Sequence, residues 1–151
     1  MAETSDFNQS ARGALAIGCT RRTINGQQNQ GAVYLYRESS GGDQDLLFDK
    51  EILATDGNAN DFFGTSIAFD KRNNPSYGLV VGSPGKENGA ISRQGAVYTF
   101  GIDFNMGSNL EQVSKINLPT GIANDDFGTV LEYSPDGILM ISCPGDDEGG
   151  T

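Results

Sequence analysis

Gly31-Ala32-Val33-Tyr34-Leu35-Tyr36 and Gly95-Ala96-Val97-Tyr98-Thr99-Phe100 are one hexapeptide written twice, 64 positions apart. Leu15-Ala16-Ile17-Gly18 returns at the same interval as Leu79-Val80-Val81-Gly82. Asn60-Asp61-Phe62-Phe63-Gly64-Thr65 returns as Asn124-Asp125-Asp126-Phe127-Gly128-Thr129, again 64 later. Three separate segments sharing one offset mark an internal repeat, which decides the architecture before any other feature. A further copy, Ile138-Leu139-Met140-Ile141-Ser142-Cys143-Pro144-Gly145, follows Leu79-Val80-Val81-Gly82-Ser83-Pro84-Gly85 at 60 when the prolines are aligned. The four missing residues fall in one turn, since Asp70–Tyr77 is longer than Tyr133–Asp136. Surface turns between strands tolerate such length changes.

Each unit reads as four strands, illustrated by Gly64–Phe69, Gly78–Gly82, Gly95–Phe100 and Gln112–Leu118. The second is a continuous apolar run, as a strand buried on both faces requires. The fourth alternates apolar and polar like a half-exposed strand, and Leu47–Leu53 is its counterpart one unit earlier. No segment sustains a period of 3.6, so no helix is expected. Four short antiparallel strands per unit of about 60 residues describe a β-propeller blade. The expected fold is therefore all-β: a partial β-propeller of four-stranded antiparallel blades, about two and a half of them, with roughly nine strands. Residues 1–58 read as an incomplete blade, 59–122 as a complete one and 123–151 as another incomplete one. Asp6-Phe7 is placed as the counterpart of Phe69-Asp70. Because closed propellers have about four to eight blades, the chain is expected to be a piece of a longer one, with an oligomerising short protein as the alternative.

Composition narrows the function. The 151 residues carry 20 Asp and Glu against 10 Lys and Arg, a formal net charge of −10. That argues against nucleic acid, whose phosphates need clustered cations, and against an anionic membrane surface. Histidine is absent, which removes Ser-His-Asp and Cys-His catalysis, His-ligated zinc and an imidazole switch. No apolar run approaches the ~20 residues of a membrane span. The opening MAETSDFNQS reads without the basic and apolar regions of a secretory signal, which points to a non-exported protein or to a piece of a longer one. Cys19 and Cys143 occupy equivalent positions two units apart. They are too distant to bridge at the ~5.5–6 Å Cα spacing of a disulfide, and read as small buried residues ending second strands. Asn8-Gln9-Ser10 fits a glycosylation sequon.

Together these motifs resemble the FG-GAP repeat, best known from the propeller of integrin α subunits, in its bacterial and algal variants. Phe63-Gly64 and Phe127-Gly128 match "FG". Gly82-Ser83-Pro84 matches "GAP", and Ser142-Cys143-Pro144 and Gly18-Cys19-Thr20 match it less well. The stretch Glu51–Gly64 is close to the family's lead-in, as is Cys143–Gly150. The resemblance implies an extracellular or cell-surface location and a non-enzymatic recognition or adhesion role toward protein or glycan. Structural service in a surface appendage or other large assembly is the alternative, and a carbohydrate-active enzyme a third. Implied partners are also other blades of the same parent chain, or self-association, with neither nucleic acid nor membrane insertion. Integrin-type repeats often carry Asp-x-Asp-x-Asp-Gly between first and second strands, where alternating carboxylates hold calcium. Here those loops read Asp70-Lys71-Arg72-Asn73-Asn74-Pro75 and Ser134-Pro135-Asp136-Gly137, so no cofactor is expected. Calcium at the other acidic loops is left open.

The resemblance implies that the loop between second and third strands varies and can face a ligand, and here these loops are long, polar and mutually different. The candidates in them are Lys86, Asn88 and Arg93 in one unit and Asp146, Asp147 and Glu148 in the next. Catalytic and metal residues are expected to be absent. Phe63 and Phe127 read as packing residues between blades, and Asp61, Asp125 and Asp126 as braces of the turn into the first strand.

Overall fold

The computed structural model describes residues 2–4, 13–39, 45–70, 76–103 and 109–145. Ten strands form three antiparallel sheets, and the described residues contain no helix. The first sheet runs β1 (Ala2–Thr4), β2 (Ala14–Cys19), β3 (Ala32–Glu38) and β4 (Leu46–Ile52), each paired with the next. The second repeats this order in β5 (Ile67–Asp70), β6 (Ser76–Ser83), β7 (Ala96–Asp103) and β8 (Asn109–Ile116). The third pairs β9 (Leu131–Tyr133) with β10 (Leu139–Ile141). Such sheets are consistent with the blades of a β-propeller.

The period of 64 governs the backbone itself. The β3–β4 register shifts between Leu35 and Tyr36, and the β7–β8 register between Thr99 and Phe100. Left-handed residues recur in step: Asn29 with Arg93, Gly31 with Gly95, Asn60 with Asn124, Phe62 with Asp126 and Gly64 with Gly128. A single non-glycine residue at positive φ is uncommon. Its return one unit later shows that each unit solves the same connection in the same way.

The first unit differs from its expected form. It carries four paired strands, with Glu3 opposite Leu15 as Phe69 is opposite Leu79. Its first strand thus lies earlier than Asp6-Phe7, which fall outside the described residues. Ala-Glu-Thr has no apolar signature of a strand, and a longer connection to β2 displaced the expected alignment.

Two cores separate the sheets. Ala14, Ala16, Val33 and Leu35 of the first sheet meet Phe63, which precedes β5, and Leu79, Val81, Tyr98 and Phe100 of the second sheet. The opposite side of the second sheet, with Ala68, Val80 and Val97, meets Phe127, Leu131, Tyr133, Leu139 and Ile141 of the third unit. This explains the unbroken apolar run of β6: alternate side chains face different neighbours, and both sides are covered. The Phe63 ring fits edge-on to Tyr98 and Phe100, with centroids 5.6 and 6.0 Å away, which makes it the packing residue the sequence indicated. The glycines ending the second strands let units approach closely. A Cβ on Gly82 would stand 2.0 Å from the Gly128 carbonyl oxygen, and one on Gly18 equally near that of Gly64. A groove of about 740 Å³ opens between β5 and β9, lined by Phe69, Asp70, Tyr133 and Pro135.

Candidate functional site

The two described loops joining second and third strands share one pattern of backbone hydrogen bonds. In the first unit, Ile24 and Gln27 exchange both backbone hydrogen bonds, at 3.2 and 2.8 Å, around Asn25-Gly26. Both turn residues have positive φ, the geometry that Asn-Gly adopts most readily. In the second, Asn88 and Ile91 do the same at 3.1 and 3.2 Å around Gly89-Ala90. The Gly31 amide closes one loop on the Arg22 carbonyl and the Gly95 amide the other on that of Lys86. Each loop then pairs with the lead-in of the next unit. The amides of Asn60, Phe62 and Phe63 donate to the carbonyls of Gln28, Asn29 and Gln30, and those of Asn124, Asp126 and Phe127 to Ser92, Arg93 and Gln94. Both described loops are therefore half display and half seam.

The three described candidates belong largely to the seam. Lys86 is only 2% exposed, and its Nζ donates to Asp61 Oδ2 at 3.0 Å and to the Asp56 carbonyl. Asn88 Nδ2 donates to the Gly95 carbonyl at 3.0 Å and so holds its own loop. Arg93 is exposed, but its Nη2 spans both carboxylate oxygens of Asp126 at 2.7 and 2.9 Å, tying the loop to the next unit. Asp146, Asp147 and Glu148 lie outside the described residues.

Around Lys86 the fold assembles a charge cluster that no single motif announced. Asp56 accepts from the Tyr98 hydroxyl at 2.7 Å and from Lys115 Nζ at 2.9 Å, with Lys86 Nζ 3.7 Å from its Oδ2. Burial pushes the Asp56 carboxyl up, but the hydrogen bonds from Lys115 and Tyr98 and the charge of Lys86 outweigh it and hold the group below its ordinary range. For Asp61 the balance reverses: burial raises it more than the Asn58 amide and Lys86 lower it. Burial, then the Asp56 carboxylate, drives the Tyr98 phenol far upward, so it stays a protonated donor.

Residues 48–100 match the family model of the FG-GAP repeat. That stretch is an FG-GAP repeat. It begins within β4 and ends within β7, spanning the seam between two sheets and the whole Asp56–Asp61–Lys86 cluster. No curated protein matches the chain. FG-GAP repeats are generally non-enzymatic and typically extracellular. No helix among the described residues is long and apolar enough to cross a membrane.

Within the FG-GAP frame, Asp61 and Asp125 do the bracing that the sequence indicated. Asp61 Oδ2 accepts the Asn58 amide at 2.8 Å and Asp125 Oδ2 the Ile122 amide at 2.6 Å. The two then part company. Asp61 has Lys86, whereas Asp125, also 1% exposed, has an Oδ1 without a hydrogen-bond partner among the described residues. The residue aligned with Lys86 in the third unit is Asp146. The cysteines are half-buried rather than buried. Cys143 Sγ sits 3.3 Å from the Asp125 carbonyl, where Ser83 Oγ donates to the Asp61 carbonyl at 2.9 Å. A thiol here replaces a hydroxyl as a weak donor, which ties it to a polar neighbour. Sequence reading also missed Gln30 and Gln94, both buried, each lying beneath a glycine (Gly57 and Gly121) that leaves room for its amide. Their identity at the 64-residue spacing was the available signal.

Of the first-to-second-strand loops, Lys71–Pro75 lie outside the described residues. In the other, the Ser134 hydroxyl accepts the Ile138 amide at 3.0 Å and the Gly137 amide donates to the Ser134 carbonyl at 2.9 Å.

Proposed function

We propose that the protein is a non-enzymatic recognition module of the extracellular, adhesion-like kind, built from consecutive propeller blades, about two and a half in this chain. It would bind a protein or glycan through the loops that join second and third strands, without a cofactor. One observation carries this reading: the two described loops keep the same hydrogen-bonded two-residue turn, left-handed residues at Asn25 and Gly89, Asn29 and Arg93, and Gly31 and Gly95, and the same seam, while their exposed side chains differ. The first displays Arg21, Arg22, Gln27 and Gln28, the second Glu87 and Ser92. A constant frame with a changing display is how rigid scaffolds carry binding loops. A glycosidase would need two accessible carboxyl groups about 5–9.5 Å apart across a cleft. The carboxylates that do converge, Asp56 and Asp61, both face Lys86, and Asp61 is closed to substrate.

The experiment is a glycan array and a panel of extracellular-matrix proteins, each with and without calcium. Wild-type protein is compared with Arg21→Ser/Gln28→Ser and with Glu87→Ser/Ser92→Ala. Binding that falls at least about tenfold in a loop variant, with melting unchanged, is the expected outcome. Binding indifferent to both variants, or no binding to any probe, would overturn the reading. A structural role in an assembly is the second reading, favoured by the exposed apolar side chains of Phe48, Val130, Ile138 and Met140.

A further inference from the structure

Of the three residues at one repeat position, Arg22, Lys86 and Asp146, only Lys86 carries an amine. The Gly31 amide on the Arg22 carbonyl and the Gly95 amide on that of Lys86 mark the first two as equivalent. A guanidinium stays charged, whereas a lysine amine freed of its proton is a nucleophile.

Lys86 meets a carboxyl group inside the protein. Its Nζ lies 3.0 Å from Asp61 Oδ2, and the two side chains are 3% and 1% exposed. The Asp56 backbone carbonyl accepts a second hydrogen bond from Nζ and fixes its direction. The Asp56 carboxylate stands alongside, with Oδ2 3.7 Å from the same nitrogen. The Tyr98 hydroxyl and Lys115 Nζ hold that carboxylate at 2.7 and 2.9 Å. An amine, a carboxyl group and a second carboxylate are thus gathered at one point. Contact held by the fold replaces the collision of two separate reactants, and burial weakens the preference of the pair for its charged form.

We propose that Lys86 and Asp61 condense into a side-chain amide, with Asp56 carrying the proton. The proton of the 3.0 Å hydrogen bond first passes from Nζ to Asp61 Oδ2, leaving a neutral amine and a neutral acid. The Nζ lone pair attacks Asp61 Cγ and forms the C–N bond. The Asp56 carboxylate takes a proton from that nitrogen and returns it to the departing hydroxyl. The C–O bond breaks, one water leaves, and Asp56 ends as it began. The two carboxyl groups suit their separate parts. Burial raises Asp61, so it accepts the proton, whereas at Asp56 burial is outweighed by the hydrogen bonds from Lys115 and Tyr98, which keep it ionised. Newly folded protein holds the ion pair, and the amide accumulates afterwards, so stability measured at once reads the ion pair. The bond ties the lead-in of β5 to the loop after β6, 25 residues along the chain.

The intact mass of the denatured protein, followed from fresh preparation through prolonged incubation, tests this. It is expected to fall by one water per molecule. Trypsin should then fail to cut after Lys86, and residues 51–71 should be recovered joined to residues 73–93. Lys86→Arg keeps a charge facing Asp61 but cannot condense, and should keep its full mass. Asp56→Asn cannot carry the proton and should slow the loss at least about tenfold. The wild-type mass and peptide map decide the question should either variant fail to fold. Full mass after incubation would overturn the inference. So would water lost as a cyclic imide at Asp56-Gly57 or Asp136-Gly137, which hydroxylamine reopens and which leaves Lys86 cleavable. An Asp56→Asn protein that condenses as fast as wild type would overturn the part given to Asp56.

Discussion

Asp61→Asn and Asp125→Asn are the same substitution at the same place in two units, and they are expected to have different consequences. Asparagine keeps an acceptor oxygen for the Asn58 or Ile122 amide, so the turn brace survives in both. At position 61 the change strips Lys86 of its carboxylate at 3.0 Å, and the Lys86 side chain is 3% exposed. Removing one partner of a buried pair costs about 3–5 kcal/mol. The remaining Asp56 carbonyl and its more distant carboxylate place this case at the lower end, about 3 kcal/mol. At position 125 a buried carboxylate oxygen with no partner among the described residues becomes an amide in the same place, so one unsatisfied group replaces another and the change is held within about 1 kcal/mol. For a domain of this size about 3 kcal/mol corresponds to about 6–12 °C in Tm. Urea and thermal unfolding followed by circular dichroism at one fixed protein concentration would read both. Adding Lys86→Met to Asp61→Asn removes the stranded ammonium and should recover more than half of the loss. Equal costs at the two positions, or no recovery in the double variant, would refute the pairing argument.

Further outcomes follow from the same contacts. Gly82→Ala drives a methyl group into the Gly128 carbonyl and should cost about 3 kcal/mol, whereas Gly26→Ala, at φ +85° with nothing within 4 Å, should cost only about 1 kcal/mol of backbone strain; urea midpoints compare them. On the acid side, Asp56 is held below its ordinary value of 3.8, so its stabilisation is present above that pH and lost as pH falls through the folded value. Asp61 is raised, and so contributes stability below its ordinary value that is lost as pH rises through its folded one. Asp56→Asn should therefore flatten the fall of Tm below about pH 4, and a gap to wild type that does not shrink with acid would refute the assignment.

The repeat was legible because each unit must satisfy identical backbone demands. Phe63-Gly64 and Phe127-Gly128, the left-handed Gly31 and Gly95, and the apolar run of β6 are written into local sequence, so the strands and their order could be read directly. Register slips, such as the bulge after Leu35 and Thr99, could be inferred from nothing local, yet they recur because equivalent positions pair, Leu35 with Lys50 and Thr99 with Ser114. The first strand escaped because Ala2-Glu3-Thr4 carries no alternation and only its neighbour β2 makes it a strand.

The candidate site was legible as a loop but not in its chemistry. A lysine in a polar loop looks the same whether it is solvated or buried. The approach of Asp56 and Asp61 from the preceding segment decided that Lys86 would be an internal cation, and the facing Asp126 turned Arg93 into a tie between units. Sequence alone determined the period, the all-β units and the places where glycine is required, because these depend on residues close in the chain and on φ. Tertiary structure decided which charges meet, which aromatic faces are covered and which are left open. Those outcomes depend on groups that are distant in sequence and brought together only when one sheet packs on the next.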